Sequence, residues 1–149
     1  MKKVNLTIDE IQVASMVGIQ RQLEDIAQNK NPTFNEKKEL AWQRHIEGAL
    51  SECALAKYLN VYWNKQKWDL PDVGGVDVRC THYHTGRLII QNKDIDDRKY
   101  YLLTGLNGSY IIRGYIFARD GKQEKFLANP TGLEGRGGYF VPQEFLLEA

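Results

Sequence analysis

The spacing of apolar residues changes once along this chain, from a period of 3.6 before residue 60 to a period of two after Val76. That switch limits the folds open to it. Thr7 and Glu10 form a T-x-x-E capping box, in which each side chain satisfies a backbone N–H of a first helical turn. From Ile8 onward, Ile11, Ile19, Leu23 and Ile26 recur at roughly helical spacing. The stretch Asn29 to Asn35 holds Pro32 and three asparagines and breaks the helix. A second T-x-x-E pair, Thr33 and Glu36, reopens one. Trp42, Ile46, Ala49, Leu50, Cys53, Ala54 and Ala56 then make a broad apolar stripe that ends near Tyr58 to Asn60.

Val61 to Trp68 is aromatic and basic and reads as a short strand or an irregular segment, and Leu70 to Gly75 is turn-rich. Val76 to Thr81 and Arg87 to Gln91 read as two strands of a hairpin across His82 to Gly86. Tyr100 to Thr104 and Tyr110 to Phe117 read as a second pair around Gly105-Leu106-Asn107-Gly108. Asp120-Gly121 reads as a turn and Tyr139 to Val141 as a last short strand. The expected class is α+β: one domain over 1–149, with N-terminal helices packed on a mostly antiparallel or mixed sheet.

Charge is even along the chain. Residues 1–60 carry eight charges of each sign, 61–99 seven positive and six negative, and 100–149 five of each, for a net charge of +1. A broad electrostatic grip on nucleic acid is therefore not visible, although a local groove is compatible with balanced totals. Two cysteines are too few for a disulfide framework, and no apolar run approaches the length of a membrane span. Lys2 and Lys3 lead into a polar, amphipathic segment rather than a signal peptide. The expectation is a cytoplasmic, thiol-reduced protein with no membrane partner.

The chemically informative stretch runs from Gly48 to Lys93. Strand alternation puts Gln91 and Lys93 on one face, and a hairpin would bring Asp77 to them. Mg²⁺ (or Mn²⁺) needs hard oxygen ligands and keeps several waters. Asp77 would supply a carboxylate, Gln91 a neutral oxygen, and Glu52 or Glu47 a second carboxylate, with Lys93 orienting an attacking water beside the ion. Arg79, Lys99 and Arg136 are candidate phosphate contacts.

The order Gly48-x-x-x-Glu52 on a helix, Asp77 opening a strand, and Gln91-x-Lys93 ending the next resembles the PD-(D/E)XK nuclease superfamily, with Gln91 where an acid is usual. The 14-residue step from Asp77 to Gln91 is similar to the family's separation. Pro71-Asp72 also spells a PD, but Asp72 precedes a Gly-Gly turn whereas Asp77 opens the hydrophobic strand, which favours Asp77. The resemblance implies a restriction-endonuclease-like core. It further implies Mg²⁺-dependent hydrolysis of DNA, Glu52 as the helix acid in preference to Glu47, and a possible homodimer whose paired sites suit double-strand cuts. D-V-G-G-V-D-V-R and the closing F-V-P-Q resemble small phage proteins, which would place the chain in the host cytoplasm. The rival reading is a catalytically silent nucleic-acid-binding or protein-interaction module on the same fold.

Other features read more plainly. Cys80-x-His82-x-His84 offers zinc-ligand types, but three ligands this close on one strand rarely close a tetrahedron, so the histidines read as exposed turn residues. Gly132, Gly135, Gly137 and Gly138 around Arg136 lack the Lys-Ser/Thr of a P-loop and read as a loop. Trp63, Lys65, Lys67 and Trp68 suit either base stacking or tryptophans packed in the core beneath solvated lysines, and the second is preferred. Cys53 reads as a small core hydrophobe.

Overall fold

A computed structural model describes residues 2–30, 38–65, 70–130, 132 and 137–149. The Thr7 capping box forms as expected: Thr7 Oγ1 accepts from the Glu10 N–H at 3.2 Å and Glu10 Oε1 accepts from the Thr7 N–H at 2.7 Å. Helix α1 runs Ile8–Ala27 behind it. The second capping box, Thr33 and Glu36, lies outside the described residues, as does Pro32. A 3-10 turn at Lys38–Leu40 leads into α2, Ala41–Leu59, which stops where Asn60 takes the left-handed conformation (φ 56°) at its C-cap.

The two helices pack as a hairpin, and their contact is set by small residues. Ala14 and Gly18 on α1 face Ile46 and Ala49 on α2, and a Cβ at Gly18 would sit 2.5 Å from the Ile46 Cα and 2.7 Å from the His45 carbonyl oxygen. Backbone thus lies against backbone at Gly18. The apolar residues that announce α1 in the sequence mostly face elsewhere: Ile19, Leu23 and Ile26 are exposed.

The described strands form two hydrogen-bonding systems. They are β1 (Lys2–Asn5), β2 (Asp77–Thr81), β3 (Leu88–Ile90), β4 (Lys99–Leu106), β5 (Ser109–Phe117), β6 (Leu127–Ala128) and β7 (Gly138–Val141). The larger sheet has the order β1-β5-β4-β2, and the smaller one β3-β7-β6. The β4–β5 hairpin forms as expected but its turn shrinks to Asn107-Gly108, both with positive φ (56° and 88°), the conformation a two-residue hairpin turn needs. β1 has no counterpart in the sequence reading; it adds antiparallel to β5 at the edge. Asp120-Gly121 ends a one-turn helix, α3 (Ala118–Gly121), rather than forming a bare turn.

The expected hairpin between Val76–Thr81 and Arg87–Gln91 does not form. β2 pairs with β4 in parallel, Asp77 opposite Tyr100 and Thr81 opposite Thr104, while β3 pairs antiparallel with β7, Leu88 opposite Val141. The cause is burial. Leu88 and Ile90 are fully enclosed in a second core with Tyr100, Leu102, Ile116, Phe126 and Val141, which β3 reaches only by leaving β2. The segment from His82 to Arg98 then serves as the long crossover that a parallel pair requires.

β4 divides the two cores. Tyr101 and Leu103 face the helices with Leu50, Ala54, Leu55, Trp63 and Val78, whereas Tyr100 and Leu102 face the small sheet. The observed class is α+β with a mixed sheet. Two glycines, one on each helix, give opposite expectations for the same substitution. Gly18→Ala should destabilise by about 1–3 kcal/mol by forcing the helices apart. Gly48→Ala, with no atom within 4 Å of the added methyl, should stabilise by up to about 1 kcal/mol. Urea unfolding midpoints of the two variants check this.

Candidate functional site

The β2 register sorts the expected site residues onto two faces of the large sheet. Asp77 and Arg79 share the face of Tyr100 and Leu102, whereas Val78 and Cys80 share the face packed by α2, the helix that carries Glu52 and Glu47. The sheet therefore separates Asp77 from Glu52.

On the small-sheet face Asp77 and Asp94 each have a guanidinium against them. Asp77 Oδ2 accepts from Arg98 Nη1 at 3.1 Å and its Oδ1 accepts from the Asp72 N–H at 2.8 Å. Asp72 Oδ2 in turn accepts from the Val78 N–H at 2.9 Å. The two aspartates thereby brace a tight turn in which Val73 and Val76 bond each other's backbone around Gly74-Gly75, both at positive φ. Arg79 reaches away from this turn: its Nη2 lies 3.0 and 2.9 Å from the two oxygens of Asp94, its Nε donates to the Ile89 carbonyl, and its guanidinium covers the Tyr100 ring. Asp94 Oδ2 also accepts from the Gln91 N–H at 2.8 Å, which closes a turn that leaves Lys93 exposed. Gln91 meets this network through its backbone.

On the helix face the acids are held just as firmly. Glu52 is 3% exposed; it accepts from Arg21 Nη1 at 2.8 Å, Arg21 Nη2 at 3.1 Å and Trp63 Nε1 at 3.1 Å. Glu47 accepts from the Tyr110 hydroxyl and from the Asn107 N–H at 3.0 Å, and burial together with this carboxylate pushes the Tyr110 phenol well above its ordinary range. His45 Nε2 is 2.8 Å from Asp25 Oδ2.

Arg21, Asp25, His45, Glu47 and Glu52 border a groove of about 920 Å³ between α1, α2 and β2. Arg21, Arg44 and Lys65 supply cations to its wall, Glu24, Asp25, Glu47, Glu52 and Asp72 supply acids, and Val78 to Thr81 supply the strand side. Tyr62, 83% exposed, lies beside it with Lys65 Nζ over its ring. Trp63 is buried, so the core reading of that tryptophan holds; Lys67 and Trp68 lie outside the described residues.

Of the expected phosphate contacts, Arg79 is committed to Asp94, Lys99 sits over the Tyr115 and Phe117 rings, and Arg136 lies outside the described residues. His82 stacks on Tyr83 and His84 is exposed, in keeping with turn histidines. Burial pushes the Cys80 thiol up to about 12. Among the described residues no three His, Cys, Asp or Glu side chains are placed to hold a metal ion. Nor is any described helix long and apolar enough to cross a membrane.

The expected Mg²⁺ set therefore does not fit: Glu52 and Asp77 lie on opposite faces, each already against an arginine. The sequence reading missed the partners that decide this, Arg21, Arg98 and Asp94. Arg21 is legible in part, since Ala14, Gly18, Arg21 and Asp25 fall on one helical face. Asp94 and Arg98 have no local signal beyond a charge-dense D-I-D-D-R run. No protein family, curated protein or solved structure matches the chain.

Two measurements follow from these contacts. Glu52→Ala strands the Arg21 guanidinium and should cost about 3–5 kcal/mol of stability, while Lys93→Ala should stay within about 0.5 kcal/mol; denaturant unfolding compares them. His45 has its pKa lowered, chiefly by burial, against the raising effect of Asp25. The unfolded chain then takes up that proton more readily. The contribution is fully present above the ordinary value of 6.5 and is lost as pH falls through the lower folded value. Unfolding free energy followed against pH should show this slope in wild type and a reduced one in His45→Gln.

Proposed function

We propose that this chain is a nucleic-acid-binding module that engages a phosphate backbone in the α1–α2–β2 groove without a resident metal. The observation that carries it is the pairing of Glu52 with Arg21 and Trp63 of the same chain, in a groove wall that also presents Arg44 and Lys65. The Arg21 guanidinium neutralises the Glu52 carboxylate, the task a divalent ion would otherwise perform there. Tyr62 beside Lys65 suits stacking on an unpaired base, with the ammonium close to the adjoining phosphate. The order of Gly48-x-x-x-Glu52, Asp77 and Gln91-x-Lys93 resembles the PD-(D/E)XK superfamily. Under this reading the mixed sheet with α2 on one face is a restriction-endonuclease-like core put to binding.

A second reading, a Mg²⁺- or Mn²⁺-dependent nuclease acting on DNA, is favoured by one observation: Glu52 and Asp72, from a helix and a turn, border the same groove. Mg²⁺ is commonly held by one or two carboxylates with waters and phosphate oxygens. It would need these two acids, with Arg21 released from Glu52.

Fluorescence anisotropy with single-stranded, duplex and branched DNA in EDTA tests the first reading. Binding should weaken with salt, and Lys65→Ala should reduce the salt slope by about one ion. Lys93→Ala should bind as wild type does. Cutting in Mg²⁺ or Mn²⁺ that Asp72→Asn abolishes would replace this reading with the second. Neither binding nor cutting on any substrate would overturn both.

A further inference from the structure

The outer face of α1 carries an apolar stripe that is left open by the described residues of this chain. Ile8 is 79% exposed and Met16 61%, and Ile19, Leu23 and Ile26 are exposed as well. At 100° per residue these five side chains fall within a sector of about 80°, to one side of the Ala14–Gly18–Gln22 face buried against α2. Met16, Ile19, Leu23 and Ile26 follow the 3-4-3 spacing of a helix–helix seam rather than the broader pattern of a core-facing helix.

The geometry points to a second copy of this chain as the occupant, with α1 packed antiparallel on α1 of its mate across a two-fold axis. Three observations select that partner. First, past the first turn the residues within and beside the seam are Gln12, Ser15, Gln20 and Ala27, none charged, so two identical stripes meet without like-charge repulsion. Second, antiparallel pairing opposes the two helix dipoles and keeps the acidic first turns of the two copies, Asp9 and Glu10, at opposite ends of the seam, where parallel pairing would set them side by side. Third, burying the five side chains and their flanks on a copy removes on the order of 1,200 Å² in all, the lower bound of a specific interface. A lipid surface fits worse. Arg21 is the one basic residue of α1 and is turned to Glu52, so the stripe lacks the basic border of a membrane-bound helix.

In this arrangement Ile19 lies near the axis against its own copy and Met16 lies opposite Leu23. Sedimentation of the full chain over a concentration series should show a mass of twice 17.2 kDa. The double variant Ile19→Glu/Leu23→Glu should sediment at half the wild-type mass with an unchanged circular-dichroism spectrum, because both positions are exposed. Ile19→Cys should form an intermolecular disulfide on mild oxidation, which Val13→Cys, exposed but well to the side of the stripe, should not. A wild type that stays monomeric at its highest soluble concentration overturns the proposal, as does a dimer that survives the double glutamate variant. Monomers that co-sediment with neutral vesicles through the stripe would assign it to lipid instead.

Discussion

The Glu52 carboxylate, with Arg21 and Trp63 against it, is the contact on which the helix layer depends. It joins α1, α2 and the segment after α2 at one buried point, and each partner explains the others' tolerance of burial. A carboxylate this deep is costly alone. Two guanidinium bonds and an indole N–H offset its desolvation, and the same bonds fix where Arg21 lies along α1. The close approach at Gly18 is possible because this pin and the Asp25–His45 contact hold the two helices together at polar points, where large side chains would have kept them apart.

A matching clamp operates across the sheet. Arg79 leaves β2, bonds the Ile89 carbonyl on β3 and both oxygens of Asp94, and lies over Tyr100. One side chain thereby couples the two sheets, which share no backbone ladder among the described residues. The Asp72–Asp77 turn performs the same service at the start of β2, with Arg98 closing it. Residues whose order suggests catalysis are here bound into the frame. The groove that remains open belongs to the helix side, where Arg44, Lys65 and Tyr62 stand, and a dimer through the outer face of α1 would leave the β2 wall of that groove uncovered.

Much of the fold is legible along the chain, and the reasons are local. Thr7 and Glu10 set the start of α1 because a capping box is decided within four residues. Asn107-Gly108 set the β4–β5 turn because few residues besides Asn and Gly accept two successive positive φ values. The site is less legible. Asp77, Gln91 and Lys93 have the right spacing for a hairpin, yet whether two adjacent strands pair depends on where their apolar faces find a core. Leu88 and Ile90 find theirs with Val141, more than fifty residues on.

The sequence alone determined the identity and hand-off of the elements: a capped first helix, a second helix with a broad apolar stripe, a switch to strand periodicity, and a tight hairpin. Each rests on backbone preferences and spacing of neighbouring residues. Only the tertiary structure decided that β2 lies parallel to β4, that Asp77 and Glu52 face opposite sides of a sheet, and that arginines occupy both. Strand partners and buried ion pairs are chosen by residues distant in the chain, through competition for burial and for charge, and no local pattern carries that information.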